Sequence, residues 1–303
     1  MPLPLASAFK IASYGIRPTK HSNSYESIEL SQALHRIRLI NSWGTAIRPG
    51  TRVLELGCGQ GTCTQALAEA VSASDSESRS GHITAVDPGD PDYGAPFTLS
   101  QAQGHLESGP IGPLVTFRRA DSVPFLAAAA EAGETWDAAV LAHCIWYFPS
   151  SDTLAEILSA LKGRVGRVCV AEWGMRATEL AAVAHVLAAL ARATFEAHRV
   201  DSSENIQTLM SPQAIKEAVA RAGWKVEKED WVVPERGLGD GHWETATVVN
   251  RSFADDVERE VTDQRVKALL GSARDATIVA ADAVGGAGRV MSMDVWTATL
   301  VPE

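Results

Sequence analysis

The segment Val53-Leu54-Glu55-Leu56-Gly57-Cys58-Gly59-Gln60-Gly61-Thr62 carries the most structural information in the chain. Arg52 to Leu56 is a short apolar run of the kind that forms a strand buried on both faces. The alternate glycines break it, and a helical pattern resumes from Thr62 to Ser72. Strand, glycine loop and helix together open a nucleotide-binding βαβ unit. Glycine lets the backbone turn tightly and approach a ligand that a Cβ would obstruct. A dinucleotide fingerprint is Gly-x-Gly-x-x-Gly, with its third glycine one place further on than here. The spacing here is Gly-x-Gly-x-Gly, with an acid two residues before the first glycine, so the loop is expected to hold a cofactor without matching that fingerprint.

Outward from this segment, strands and helices alternate. Upstream, residues 26–43 put Leu30, Ala33, Leu34, Ile37 and Ile40 on one helical stripe with polar residues opposite. Downstream, strands are predicted at 82–87, 114–121, 136–142 and 165–172, with helices at 124–132 and 153–161. The Gly- and Pro-rich stretch 88–113 reads as a long loop with one short helix at 100–107. This alternation implies an α/β fold with a doubly wound parallel sheet. Beyond residue 175 a helix over 178–199 is expected to bury Leu180, Val183, Leu187, Leu190 and Phe195, leaving His185, Arg192, Glu196 and Arg199 on the opposite face. A helix from Ser211-Pro212 to Gly223, a strand at 224–233, helices within 243–283 and a closing strand at 290–301 complete the chain.

Composition narrows the function classes. The 303 residues are 46% hydrophobic and 21% charged, ordinary values for a folded globular protein. Lys+Arg 27 against Asp+Glu 37 leaves a formal charge of -10, and there is no Lys/Arg-rich run to attract a phosphate backbone, so nucleic acid is not an expected partner. Met1 to Lys10 lacks the basic and apolar regions of a secretory leader, and the apolar stretch 181–193 is too short to cross a bilayer. Cys58, Cys63, Cys144 and Cys169 lack zinc-type spacing and read as reduced thiols, so a cytoplasmic protein without a metal site is expected.

With Glu55 before the glycines, Asp87 ending the second strand, Ala120-Asp121-Ser122 after the third and Leu141-Ala142-His143 after the fourth, residues 30–175 resemble the class I S-adenosylmethionine-dependent methyltransferases. The resemblance implies a Rossmann-like, mostly parallel seven-stranded sheet in a single domain 1–303. Its parts are an N-terminal helical cap (1–48), a cofactor-binding core (49–175), a helical lid (176–210) and a C-terminal completion of the sheet (211–303) with a helical insertion at about 235–288. It also implies S-adenosyl-L-methionine as cofactor and S-adenosyl-L-homocysteine as product. The implied cofactor set is Glu55, Gly57, Cys58, Gly59, Gly61, Asp87, Pro88, Asp121, Ser122 and His143. Asp87 takes the ribose hydroxyls, Asp121 and Ser122 the adenine, and His143 lies beside the methionine moiety and substrate.

His143 is the candidate general base, since a histidine at a strand's C-terminal end has a pKa near neutrality; orienting the substrate or bonding to backbone is the alternative. Trp146 and Tyr147, followed by Phe148, are candidate substrate walls, with core packing as the other reading. Trp173, beside Glu172, is expected on the same rim. Tyr14, His21 and Tyr25 are candidate lid residues over the cofactor, or else belong to a frayed terminus. His185 and His198 read as solvated, and Cys58 as a small packing residue. The expected activity is methylation of O or N of a small organic molecule, with specialised metabolites among the candidates. Alternatives are a cyclase-like enzyme that uses the cofactor only as a charge, a regulatory protein that binds it without turnover, and a nicotinamide-dependent oxidoreductase. The methyl acceptor and the oligomeric state are not legible.

Overall fold

The computed structural model describes residues 2–17, 23–72 (backbone alone for 23–25), 81–199, 204 and 206–303. In chain order the helices and strands are α1 (Ala8–Ala12), α2 (Asn23–Ser42), β1 (Arg52–Leu56), α3 (Thr62–Val71), β2 (His82–Asp87), α4 (Leu99–Ser108), β3 (Val115–Arg119), α5 (Ser122–Glu131) and β4 (Ala138–Ala142). There follow α6 (Ser151–Leu161), β5 (Arg167–Trp173), α7 (Val183–Glu196), α8 (Pro212–Arg221), β6 (Trp224–Val232), α9 (Asp240–Val249), α10 (Arg251–Glu260), α11 (Gln264–Asp282) and β7 (Val295–Pro302).

The strands form one sheet in the order β3-β2-β1-β4-β5-β7-β6. The first five run parallel, and β7 enters antiparallel between β5 and β6. β1 and β4, at the centre, are buried on both faces, as their unbroken apolar runs require. β6 lies at the edge and exposes Lys225, Glu227, Lys228 and Glu229, charges that discourage pairing with another chain. Strand order reverses between β1 and β4, where Val53 pairs with Ile83 on one side and Ala138 on the other. Loops leaving the C-terminal ends diverge at that point and open a crevice.

One core fills both sides of the sheet, with α3 contributing Ala66, Leu67 and Val71, and α6 contributing Leu154, Ile157 and Leu161. A second, separate core joins α7, α9, α10 and α11 through Phe195, Val248, Phe253, Val257 and Leu270. No helix among the described residues is long and apolar enough to cross a membrane.

Three expectations need correction. The buried side of α7 is only in part the predicted one: Phe195 is buried as expected, but Leu190 is 46% exposed, Leu180 just before the helix is 76% exposed, and His185, Arg192 and Glu196 are buried. Small residues Ala184, Ala188 and Ala191 sit on that buried side and admit neighbouring helices closely. Arg192 tolerates burial because Glu204 and Glu244 neutralise it. The last strand begins at Val295 rather than 290, since the preceding segment is tied to the helical layer by Met293 N–H to His185 and by Gly241 N–H to Ser292 Oγ. Finally, the polar stripe of α2 is not solvated throughout: His35 is wholly buried.

Candidate active site

The three loop glycines all have positive φ, 74° at Gly57, 52° at Gly59 and 85° at Gly61, but each meets a different constraint. A Cβ on Gly57 would lie 2.5 Å from Cys144 Cβ, so this glycine admits the β4 loop. A Cβ on Gly61 would lie 2.5 Å from Leu106 Cδ1, so this one admits α4. At Gly59 a Cβ would meet nothing within 4 Å, because the residue faces open space. The loop is braced from β2: Asp87 Oδ2 accepts the Gly59 amide at 2.8 Å, and Oδ1 accepts the Gly89 amide at 2.8 Å.

A cleft of about 680 Å³ opens beside this loop. Gly57, Gly59, Asp87 and Pro88 line one side, and Asp121 and Ser122 at the start of α5 line another. Leu99, Val123, Phe148 and Ile157 supply apolar wall, with the phenol rings of Tyr93 and Tyr147 at the rim. Among the described residues Asp87, Asp90, Asp121 and Glu204 line it and no lysine or arginine does, so the cleft favours a cationic occupant.

Glu55 does not reach the cleft. Its carboxyl is buried behind the loop, accepts the Thr64 hydroxyl at 2.6 Å, and is pushed up to about 7 by burial. It joins the end of β1 to the first turn of α3. Cys58 is buried, and burial also pushes its thiol well above its ordinary pKa, which leaves it a packing residue.

His143 follows β4 with φ 55°, a left-handed backbone uncommon outside glycine. Its ring does not line the cleft and lies in a buried aromatic cluster. Its Nε2 lies 3.0 Å from His35 Nε2, its Nδ1 lies 3.6 Å from Glu172 Oε1, and its ring centroid is 4.3 Å from that of Trp173. Trp173 stacks on His35 at 6.1 Å and meets His185 edge-on at 5.1 Å. Burial holds all three imidazoles below their ordinary pKa, His185 down to about 3. Glu172 accepts the amides of Ile145 and Trp173, both at 2.9 Å, and burial raises it to about 7.

The remaining candidates separate. Tyr147 is half exposed on the cleft, but Trp146 is buried, its indole N–H donating to Met210 O at 2.9 Å, and anchors the loop instead of walling the site. Tyr14 donates to Glu69 Oε2 at 2.8 Å and fastens α1 to α3, away from the cleft. His21 and the side chain of Tyr25 lie outside the described residues. His185, expected in solvent, is fully buried beside Trp173. Sequence reasoning missed His35, Tyr93 and Glu204. For His35 a signal existed: Gln32, His35 and Arg36 lie at i, i+3 and i+4 and share one helix face.

The methyltransferase-domain family profile matches residues 19–229, more than half of the chain. The chain belongs to the class I S-adenosylmethionine-dependent methyltransferases. Methyltransferase phomM' of Diaporthe leptostromiformis is 32% identical over 283 residues, covering 82% of this chain and 72% of the relative. A cyclopropane-fatty-acyl-phospholipid synthase-like protein from Lactobacillus casei superposes with TM-score 0.80 at 28% identity, covering 98% of this chain and all (100%) of the other. A putative sarcosine dimethylglycine methyltransferase from Galdieria sulphuraria shares the fold, with TM-score 0.51 at 9% identity over 98% of this chain and 97% of that one.

The residues of this methyltransferase fit the family's cofactor. Gly59 leaves open the space that a Cβ would fill. Each Asp87 oxygen spends one lone pair on a loop amide and keeps a second as an acceptor. Asp121 lines the cleft and does not cap α5 with its side chain, and Ser122 in the first helical turn carries an amide with no partner within the helix. Among the described residues, no group of three or more His, Cys, Asp or Glu is arranged to hold a metal ion.

Proposed function

We propose that this methyltransferase methylates O or N of a small organic molecule, a specialised metabolite being the class that best suits it. The observation that supports the reading is an acidic cleft lined by Gly59, Asp87 and Asp121 on one part and by Cys144, Tyr147 and Phe148, from the loop after β4, on another. When bound, S-adenosylmethionine supplies an electrophilic methyl on a sulfonium. The chain's own residues then position and desolvate. Asp87 and Asp121 hold the adenosyl part, and their charges suit a cation. The helices after β5 have a hydrophobic core of their own, which supports a division of labour between residues 49–175 for the cofactor and the later helices for the acceptor. Holding the acceptor in line with the methyl supplies much of the acceleration, and a base is required only where the nucleophile arrives protonated.

The test is incubation of the protein with methyl-labelled S-adenosylmethionine and a metabolite extract, followed by identification of the labelled small molecule. Binding of the cofactor with no label transferred from it to any fraction would replace this reading with a cyclase-like or regulatory role.

A further inference from the structure

A hydroxyl and an amine make different demands on a methyl-transfer site. A hydroxyl must shed its proton to become a strong nucleophile, so it needs a base beside it or a cation that holds the oxyanion. A neutral amine carries its lone pair already and needs neither. Among the described residues, no histidine, lysine or arginine lines the cleft. His143, the base expected from the sequence, lies in the Trp173 cluster with its side chain 8% exposed. The charged groups that do line the cleft are Asp87, Asp90, Asp121 and Glu204. Carboxylates as a class have pKa values of about 4, which makes them weak bases toward a hydroxyl, and their charge repels an oxyanion. Glu204 meets Arg192 at 2.8 Å and Asp90 meets Arg119 at 3.5 Å, but neither arginine lines the cleft.

The Gly- and Pro-rich loop between β2 and α4 supplies a second observation. It is fastened at both ends: the Gly89 amide donates to Asp87 Oδ1 at 2.8 Å, and Gln60 Nε2 in the glycine loop donates to Phe97 O at 2.5 Å. The Leu99 amide, at the start of α4, donates to Tyr93 O at 2.8 Å. Tyr93 is thereby held on the cleft with 52% of its surface exposed, and Tyr147, from the loop after β4, lines the same cleft at 51%. Exposed phenol faces in an acidic, partly apolar cleft are what a desolvated organic cation requires.

We propose that the acceptor is a basic amine on an apolar body, methylated on nitrogen without an enzyme base, and that Tyr93 and Tyr147 select it. This rests on the methyl-transfer reading above and narrows it to nitrogen. In the step, the nitrogen lone pair forms the bond to the methyl as the sulfur–methyl bond breaks with its electron pair left on sulfur. The positive charge of the sulfonium reappears on nitrogen, so the acidic cleft that suits the cofactor also suits the ammonium product. A product that keeps an N–H gives its proton to water after release.

The labelled extract tests this directly. The labelled product should be retained on a cation exchanger at pH 5, and mass spectrometry should place the methyl on an amine nitrogen. A methyl on oxygen, carbon or sulfur overturns the proposal. With the identified amine, Tyr93→Leu should raise KM by about threefold to thirtyfold, the range of a cation–π contact, with kcat within about threefold. Tyr93→Phe, which keeps the ring, should restore KM to within about threefold of wild type. The Kd of both variants for S-adenosylmethionine should stay within about twofold. An unchanged KM in Tyr93→Leu overturns the selecting role. An extract that yields no labelled product sinks the methyl-transfer reading by itself, and the cleft is then judged by calorimetric titration of the S-adenosylhomocysteine complex with 2-phenylethylamine, 2-phenylethanol and 3-phenylpropionate. Binding of the amine at least tenfold tighter than the other two supports an amine-selecting cleft; equal, weaker or absent binding of the amine overturns it.

Discussion

Asp87 Oδ2 accepts the backbone amide of Gly59 at 2.8 Å, so the carboxylate that ends β2 also shapes the glycine loop beside it. One side chain thereby both braces the loop and lines the cleft. Asp87→Ala should weaken S-adenosylmethionine binding by about 1 to 3 kcal/mol, the usual loss for charged hydrogen bonds. Calorimetric titration checks this, and unchanged affinity would remove Asp87 from the site. Asp87→Asn, which keeps an acceptor oxygen but not the charge, should fall between the two.

The neighbouring glycines should respond differently to one methyl group. Gly57→Ala forces a Cβ to 2.5 Å from Cys144 Cβ at a left-handed backbone, and should cost about 2 to 4 kcal/mol of stability in urea unfolding. Gly59→Ala meets open space and should cost about 1 to 2 kcal/mol from backbone conformation alone, while weakening cofactor affinity more than Gly57→Ala does in folded protein. Equal stability losses would contradict the assigned roles.

Glu55 gives the stability curve a definite sign. Its carboxyl keeps a proton up to about pH 7 in the native chain, against an ordinary value of 4.5. The native state therefore holds a proton that the unfolded chain releases, and this group lowers stability as pH rises from 4.5 to 7, with no further change above. The full effect is about 3 kcal/mol by linkage. Glu55→Gln stays neutral, so its stability relative to wild type should improve between pH 5 and pH 8. A constant difference across that range counts against a protonated Glu55.

His185 acts in the opposite direction. Burial holds its pKa at about 3, against 6.5 in the unfolded chain, so the unfolded state gains a proton that the native state refuses as pH falls below 6.5. Stability attributable to this group is complete above 6.5 and is lost toward pH 3, at about 1.4 kcal/mol per pH unit. His185→Gln keeps a carbonyl for the Met293 amide and should flatten the acid limb by that slope. Urea midpoints at pH 7 and 5.5 measure it, and an unaltered slope would mean that His185 titrates normally.

The sequence made the cofactor half of the site legible because strands read locally. A five-residue apolar run followed by glycine must be a buried strand reaching a turn, and Asp87, Asp121 and His143 stand at the ends of such runs. Asp87 and Asp121 do line the cleft. Glu55 and Gly61 belong to the same motif yet face inward, and only three-dimensional neighbours, Thr64 and Leu106, reveal that their work is to brace the loop. Periodicity failed where a second layer of helices intervened. Leu180 just before α7 and Leu190 on it looked like the inner face, yet small alanines and the paired Arg192 are the residues buried there.

By itself, the amino-acid order determined the parallel sheet, the glycine bend and the acids at the strand ends, since each follows from the chemistry of a few consecutive residues. Tertiary structure alone decided that His35 from the first long helix, His143 and Glu172 from two strand ends and His185 from α7 share one buried cluster around Trp173. Those residues are far apart in the chain, and their altered proton affinities arise from burial that none of their immediate neighbours encodes.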